Sequence, residues 1–263
     1  MCNIALSIND VTIGYRNGKS VTPVVTSINA TLCAGEVVAL IGMNGAGKST
    51  LLRTLSGFQQ HLSGDVRFAM GDAGDLSPQE LAKCVSVVLT ENNFATLTVD
   101  ELVALGRVPH TGFLGLMNAA DRAVVAAAMD RMGVGCLAKR QVSTLSDGER
   151  QKCLIAKAIA QQTQLMLFDE PTAFLDFRSK VQLFRTLRGL AADEGKSVVV
   201  STHDIEMALR FADKIWLING GRLYEGSAAE LAGCGILQRF IDGDGIVYDE
   251  ENNRIEITQE GAL

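Results

Sequence analysis

Nowhere does the 263-residue chain hold an uninterrupted apolar stretch approaching the roughly 18 to 20 residues a helix needs to cross a bilayer. Its opening residues, Met1-Cys2-Asn3-Ile4-Ala5-Leu6-Ser7, have no basic region and alternate as a strand does, so no secretory leader is expected. Clustered positive charge is missing too. Lys and Arg total 24 against 30 Asp and Glu, a net charge of −6, and the basic residues are dispersed. That argues against gripping a phosphodiester backbone, and no nucleic-acid partner is expected. The six cysteines, at 2, 33, 84, 136, 153 and 234, form no C-x-x-C pair. The three histidines, His61, His110 and His203, complete no zinc spacing. Small buried thiols kept reduced are the expectation. There are only four prolines and no Pro/Ser-rich linker. What remains, 47% hydrophobic and 21% charged residues, is the balance of a chain with a sizeable buried core and excludes a disordered one.

Along the chain, residues 4–14 and 21–32 alternate apolar and polar around Arg16-Asn17-Gly18-Lys19, which predicts two antiparallel strands. Glu36-Val37-Val38-Ala39-Leu40-Ile41 is a continuous apolar run, the mark of a strand buried on both faces. Val85–Leu89, Leu165–Phe168 and Ser197–Ser201 read the same way. Segments 99–106, 119–132 and 148–162 have helical spacing with no strong strand between them, predicting a helical subdomain inserted into an α/β core. A helix over about 177–193 separates two of the strands, which implies parallel pairing through crossovers. Asn219-Gly220-Gly221 marks a hairpin, and two short strand candidates, 246–248 and 254–257, suggest a terminal one.

The chemistry begins at Gly42-Met43-Asn44-Gly45-Ala46-Gly47-Lys48-Ser49, which fits G-x-x-x-x-G-K-[ST] and lies between a buried strand and a helix beginning Thr50-Leu51-Leu52. Glycines let backbone N–H groups curl around an anion, and the helix N-terminus adds partial positive charge. Gly42, Asn44, Gly45, Ala46, Gly47 and Thr50 are therefore expected around a nucleotide's phosphates, with Lys48 on the β- and γ-phosphates and Ser49 on Mg²⁺. The second half of the site is Asp169-Glu170, closing the strand Leu165-Met166-Leu167-Phe168. A carboxylate there is costly to desolvate unless a cation meets it. Asp169 is expected to hold Mg²⁺, and Glu170 to orient and deprotonate the water that attacks the γ-phosphate.

Leu145-Ser146-Asp147-Gly148-Glu149-Arg150-Gln151, placed between the Lys48 loop and Asp169-Glu170-Pro171-Thr172, resembles the signature of ABC-transporter ATPase subunits. The resemblance extends to Ala173-Phe174-Leu175-Asp176 as the D-loop, to His203 in Ser201-Thr202-His203-Asp204 as a γ-phosphate sensor, and to Tyr15 as the aromatic that stacks on adenine. It covers residues 4 to about 240. It implies a P-loop NTPase core, a RecA-like parallel sheet, carrying an N-terminal antiparallel β-subdomain and an inserted α-helical subdomain. The expected division is a single domain over 1–240, with core 1–90 and 163–240 and helical insertion 91–162, followed by a tail at 241–263. It also implies ATP and Mg²⁺ as ligands and a homodimer in which Ser146 and Gly148 of one subunit cap the γ-phosphate held by the other, with Asp176 at that interface. Integral membrane permease subunits and a separate substrate-binding protein follow as partners, at the cytoplasmic face of the cell membrane.

Two departures stand out. Family members usually carry Gly-Gly-Gln in the signature, where this chain has Asp147-Gly148-Glu149, and Asp147 brings negative charge near an anion. The Gln that normally approaches Mg²⁺ and the attacking water is replaced, in the best register, by Glu91 of Thr90-Glu91-Asn92-Asn93, with Asn92 as the other candidate. Glu91 is thus an expected metal and catalytic residue. Within the insertion, Val99-x-Glu101-Leu102-Val103-x-x-Gly106-Arg107-x-Pro109-His110 resembles the branch that powers import of iron–siderophore, haem and cobalamin-like compounds. Phe94 and Leu97 are expected to meet a short cytoplasmic helix of the permease. The rival is a soluble ABC ATPase serving a non-transport assembly such as iron–sulfur cluster building.

Overall fold

The first two strands, β1 (Ile4–Asn17) and β2 (Ser20–Cys33), form a long antiparallel pair in which Leu6 faces Leu32 and Val11 faces Ile28. Their inward residues Leu6, Ile8, Val11, Ile13, Ile28 and Leu32 are all but fully buried, which is the alternation of a sheet with one wet face. A computed structural model describes residues 3–18, 20–89, 96–112, 115–242, 246–249 and 254–257. After β2 come β3 (Val37–Gly42) and α1 (Lys48–Leu55). Two further strands, β4 (Ser63–Phe68) and β5 (Gly71–Asp72), extend the antiparallel sheet in the order β2-β1-β4-β5.

Next are α2 (Pro78–Cys84), β6 (Val85–Val88), α3 (Val99–Ala104), α4 (Ala119–Arg131), α5 (Asp147–Ala160) and β7 (Leu165–Asp169). The chain continues with α6 (Phe177–Glu194), β8 (Ser197–Ser201), α7 (Ile205–Phe211), β9 (Lys214–Asn219) and β10 (Arg222–Gly226). It closes with α8 (Ala228–Gly233), α9 (Ile236–Ile241) and the antiparallel pair β11 (Ile246–Asp249) and β12 (Arg254–Ile257). The central sheet runs β10-β9-β3-β8-β7-β6, parallel throughout except for the β9–β10 hairpin.

β3 is buried along its whole length, and this explains its unbroken apolar run. Val38 and Leu40 join a core with β1, Leu51, Leu52 and Trp216, while Ala39 and Ile41 pack against α7 to α9. β7 divides likewise, Leu165 and Leu167 to one side, Met166 and Phe168 to the other. Each such side chain contributes on the order of 1.5 to 3 kcal/mol by leaving water, so the strand order is held from both faces. Phosphate-loop and carboxylate strands are separated only by β8, and their C-terminal ends lie along one edge of the sheet. That edge is where open α/β sheets place ligands.

The segment Leu105–His110 is a 3₁₀ helix that continues directly from α3. Its motif residues serve packing. A Cβ on Gly106 would lie 2.3 Å from the Lys157 carbonyl oxygen, so only glycine allows α5 this close. Arg107 is buried, donating to Asp121 Oδ1 at 3.0 Å and to the Ala160 carbonyl and Gln162 Oε1, both at 2.9 Å. His110 donates from Nε2 to the Gln161 carbonyl at 2.8 Å. Pro109 fits because a short 3₁₀ segment leaves few N–H groups to satisfy. No helix among the described residues is long and apolar enough to cross a membrane.

Candidate active site

The loop of residues 43–47 carries the chain from β3 into α1, and its glycines are required by position. Gly47 has φ 112°, and a Cβ there would press to 2.9 Å on both Val24 Cγ1 and Val25 Cγ2. A Cβ on Gly42 would stand 2.7 Å from the Ile218 carbonyl oxygen. No side chain caps α1, and its first turn has no acid. Its leading N–H groups therefore remain available to an anion. Lys48 is 5% exposed, and its Nζ donates to the carbonyls of Gly42 at 2.8 Å and Met43 at 3.3 Å. Burial pushes the Lys48 ammonium below its usual range, and the negative charges of Glu170 and Asp169 only partly counter this.

Facing the loop, Ser201 of β8 bridges both carboxylate residues. Its hydroxyl donates to Asp169 Oδ1 at 2.8 Å and accepts from the Glu170 N–H at 2.9 Å. Glu170 sits immediately after β7 at φ 49°, a left-handed conformation that a non-glycine residue adopts at a cost of about 1 kcal/mol or more. The turn lifts its carboxylate out of the sheet to meet His203, with Nε2 2.6 Å from Oε1. A carboxylate only accepts, so Nε2 carries the proton. Lys48 Nζ, 3.4 Å from the same nitrogen, is then a charged neighbour and not its donor. The turn bearing His203 is pinned by the Asp204 N–H donating to Thr202 Oγ1 at 3.0 Å, and by Asp204 pairing with Lys180 at 3.4 Å and capping α7.

Tyr15, half exposed on β1, joins this edge through a 3.1 Å hydrogen bond between its hydroxyl and Thr50 Oγ1. A cavity of about 370 Å³ opens beside it, lined by Arg16, Gln59, His61 and Leu62. Ser146, Gly148 and Asp176 belong to a separate group. Ser146 caps α5 in a reciprocal box, its hydroxyl accepting from the Glu149 N–H while Glu149 Oε2 receives the Ser146 N–H at 2.9 Å. Asp176 caps α6 by accepting from the Ser179 N–H at 2.7 Å, which holds its carboxyl below the usual range. Gly148 brings α5 against the D-loop, since a Cβ there would lie 3.2 Å from the Phe174 carbonyl oxygen.

Of the residues expected from sequence, Lys48, Glu170 and His203 converge, with Asp169 tied to Glu170 through Ser201. Ser49 and Thr50 stand in the first turn of α1 directly after Lys48. The contacts of Ser146 and Asp176 run to Glu149 and Ser179, not to this cluster. Glu91 lies outside the described residues, as do Asn92 and Phe94. The expectation of reduced thiols throughout does not hold, because Cys33 is disulfide-bonded, while Cys84, Cys136, Cys153 and Cys234 are free. Ser201 was missed by sequence reading. Its signal was a polar side chain closing a strand, Ser197-Val198-Val199-Val200-Ser201, whose every residue is buried.

The ABC transporter family profile matches residues 25–173. An uncharacterised ABC transporter ATP-binding protein of Methanocaldococcus jannaschii is 39% identical over 83% of this chain and 74% of its own length. The iron(3+)-hydroxamate import ATP-binding protein of Bacillus subtilis is 34% identical over 95% of this chain and 93% of its own. A cobalamin import ATP-binding protein of Halobacterium salinarum is 37% identical over 79% of this chain, which spans only 52% of that relative. Among solved structures, an inward-facing metal-chelate type ABC transporter superposes with TM-score 0.76 at 29% identity, covering 90% of this chain and 89% of the other. An ABC transporter cassette solved as a dimer gives TM-score 0.76 at 28% identity, covering 84% and 98%.

Proposed function

This chain belongs to the ABC transporter family as one of its ATPase subunits, and from that premise we propose that it powers import of an iron–siderophore, haem or cobalamin-like compound by closing, as a homodimer, around ATP on a membrane permease. Residues 1–240 are the cassette, 91–162 its helical subdomain and 241–263 a tail. The observation that carries the catalytic part is the meeting of Lys48, His203 and Glu170 beside Asp169 at the mouth of the phosphate loop. Three side chains of different charge character, gathered where a helix N-terminus also points, suit a triphosphate and its attacking water.

In this reading the loop N–H groups of residues 42 to 47 and Lys48 hold the β- and γ-phosphates, and the lowered ammonium pKa is restored when phosphate charge arrives. Glu170 orients the attacking water and takes its proton, and His203, its Nε2–H directed at that carboxylate, senses the γ-phosphate. Tyr15 stacks on the adenine, with its hydroxyl anchored on Thr50. The donor set of the Ser49 hydroxyl and the buried Asp169 carboxylate consists of hard oxygens and fits Mg²⁺, which when bound neutralises charge developing between the β- and γ-phosphates. Glu91 is the remaining residue assigned to the metal and water. Ser146, whose hydrogen bonds run to Glu149 and not to the Lys48 cluster, acts with Gly148 on the nucleotide of the second copy, and Asp176 sits at the interface between copies. The cassette solved as a dimer supports the pairing of two copies and the related transporter supports work on a membrane partner, and in the same reading a separate substrate-binding protein delivers cargo to the permease. The subunit then lies at the cytoplasmic face of the membrane.

The test is Glu170→Gln. ATP binding is expected to persist, turnover to fall at least about a hundredfold, and ATP to trap a dimer. Unchanged turnover, or a chain that stays monomeric with ATP both alone and with its membrane partner, defeats the proposal.

A further inference from the structure

The acidic signature turn poses an electrostatic question: two carboxylates, Asp147 and Glu149, flank the helix start that a triphosphate must approach. The structure shows each of them engaged. Glu149 Oε2 accepts from both the N–H and the hydroxyl of Ser146, at 2.9 and 3.0 Å, and Arg140 stands 3.9 Å from its other oxygen. Asp147 is held by Arg150, whose Nη1 donates to Oδ1 at 2.9 Å while Nη2 donates to the Leu145 carbonyl at 3.3 Å. Side chains on a helix lean toward its N-terminus, so an unrestrained Asp147 would project past the first turn, beside the free N–H groups of residues 147 and 148. Arg150, one turn later, fixes that carboxylate in an ion pair beside the Leu145 carbonyl. It also sets a positive charge against it.

We propose that Arg150 is a positioning residue: by fixing Asp147 and pairing its charge, it lets an acidic signature turn cap the γ-phosphate of a second copy. This rests on the ATP-closed homodimer proposed above. An exposed ion pair of this kind adds little to stability. Its consequence is felt when phosphate charge arrives, because an unpaired carboxylate and a triphosphate repel over several ångströms unless salt screens them.

The experiment measures ATP-driven dimerisation by sedimentation in the Glu170→Gln background, at low and at about 1 M salt. Arg150→Ala is expected to weaken dimerisation roughly five- to tenfold at low salt, and much less at high salt. Arg150→Lys retains most of the affinity, since charge is kept. Asp147→Asn in the Arg150→Ala chain restores it, while Asp147→Asn alone changes little. In the chain with Glu170 intact the loss appears as a higher KM for ATP more than as a lower kcat. Parental dimerisation by Arg150→Ala, an effect that salt leaves untouched, or a double variant as weak as Arg150→Ala overturns the proposal. Should the Glu170→Gln parent itself fail to dimerise, the closed-dimer reading falls first and this proposal with it. Melting temperatures separate these outcomes from misfolding, and Arg150→Lys and Asp147→Asn, which delete no side chain, keep the comparison decisive.

Discussion

At Ser201 one hydroxyl serves two neighbours, donating to Asp169 and accepting from the Glu170 N–H, and so joins the end of β8 to the end of β7. Its value is positional. Glu170 already occupies a left-handed backbone conformation, and the hydrogen bond to its N–H is part of what keeps it there. Ser201→Ala removes both bonds within a fully buried environment, which is expected to cost about 1 to 3 kcal/mol in chemical denaturation. Turnover should drop about tenfold with little change in ATP affinity, because loop and lysine contacts are untouched. Equal unfolding midpoints and equal single-turnover rates for variant and parent would show that the bridge does not position Glu170.

Among the elements, the helix starts share a device. α2, α3, α4, α5 and α8 each open with a reciprocal cap, pairing Ser77 with Glu80, Thr98 with Glu101, Asn118 with Asp121, Ser146 with Glu149 and Ser227 with Glu230. In each, hydrogen bonds from the cap residue to the acid hold its carboxyl below the ordinary value. A lowered folded pKa means the stabilisation is present above the unfolded value, 4.5 for Glu and 3.8 for Asp, and is lost as pH falls through the folded one. The helix N-termini are therefore expected to fray together below about pH 4. Hydrogen exchange in the first turns should accelerate there ahead of the β3, β7 and β8 strands. Uniform protection across helices and strands down to pH 3 on the same scale would rule this out.

For the molecule as a whole, a sizeable recess among the described residues is distinct from the phosphate site. A cleft of about 990 Å³ runs between the end of α1 and α2, with Phe58, Leu76, Leu81, Val87 and Leu89 among its walls and Lys157 and Gln161 on its α5 side. It adjoins the segment leading into residue 90, and Phe58 leaves 70% of its surface exposed. Under the proposed function this cleft would seat a permease helix, which would account for so large an exposed apolar side chain. Phe58→Asp should lower recovery of the membrane partner about tenfold on co-purification, with ATP binding by the isolated subunit unchanged. Full recovery of the permease with Phe58→Asp would place the docking surface elsewhere.

Sequence alone determined the strands buried on both faces, the phosphate loop with Lys48, the adjacent acids Asp169 and Glu170, and the helices over 148–162 and about 177–193. Each depends on local chemistry, whether an apolar run, a glycine spacing or a helical period, and each is written within a short stretch of chain. β4, β5, α2 and the short helices α7 to α9 passed unread, although Ser77-Pro78-x-Glu80 carried a legible cap for α2. Short elements bury too few residues for a period to show. Only the tertiary structure decided that Ser201 joins the two acids, that Arg150 restrains Asp147, and that Gly106 to His110 pack the helical subdomain. The first is a contact across 31 or 32 positions and the last spans about 50, and neither reach is recorded in sequence spacing. The i,i+3 pair of Asp147 and Arg150 was within sequence reach, but which way the carboxylate turned depended on the donor actually meeting it.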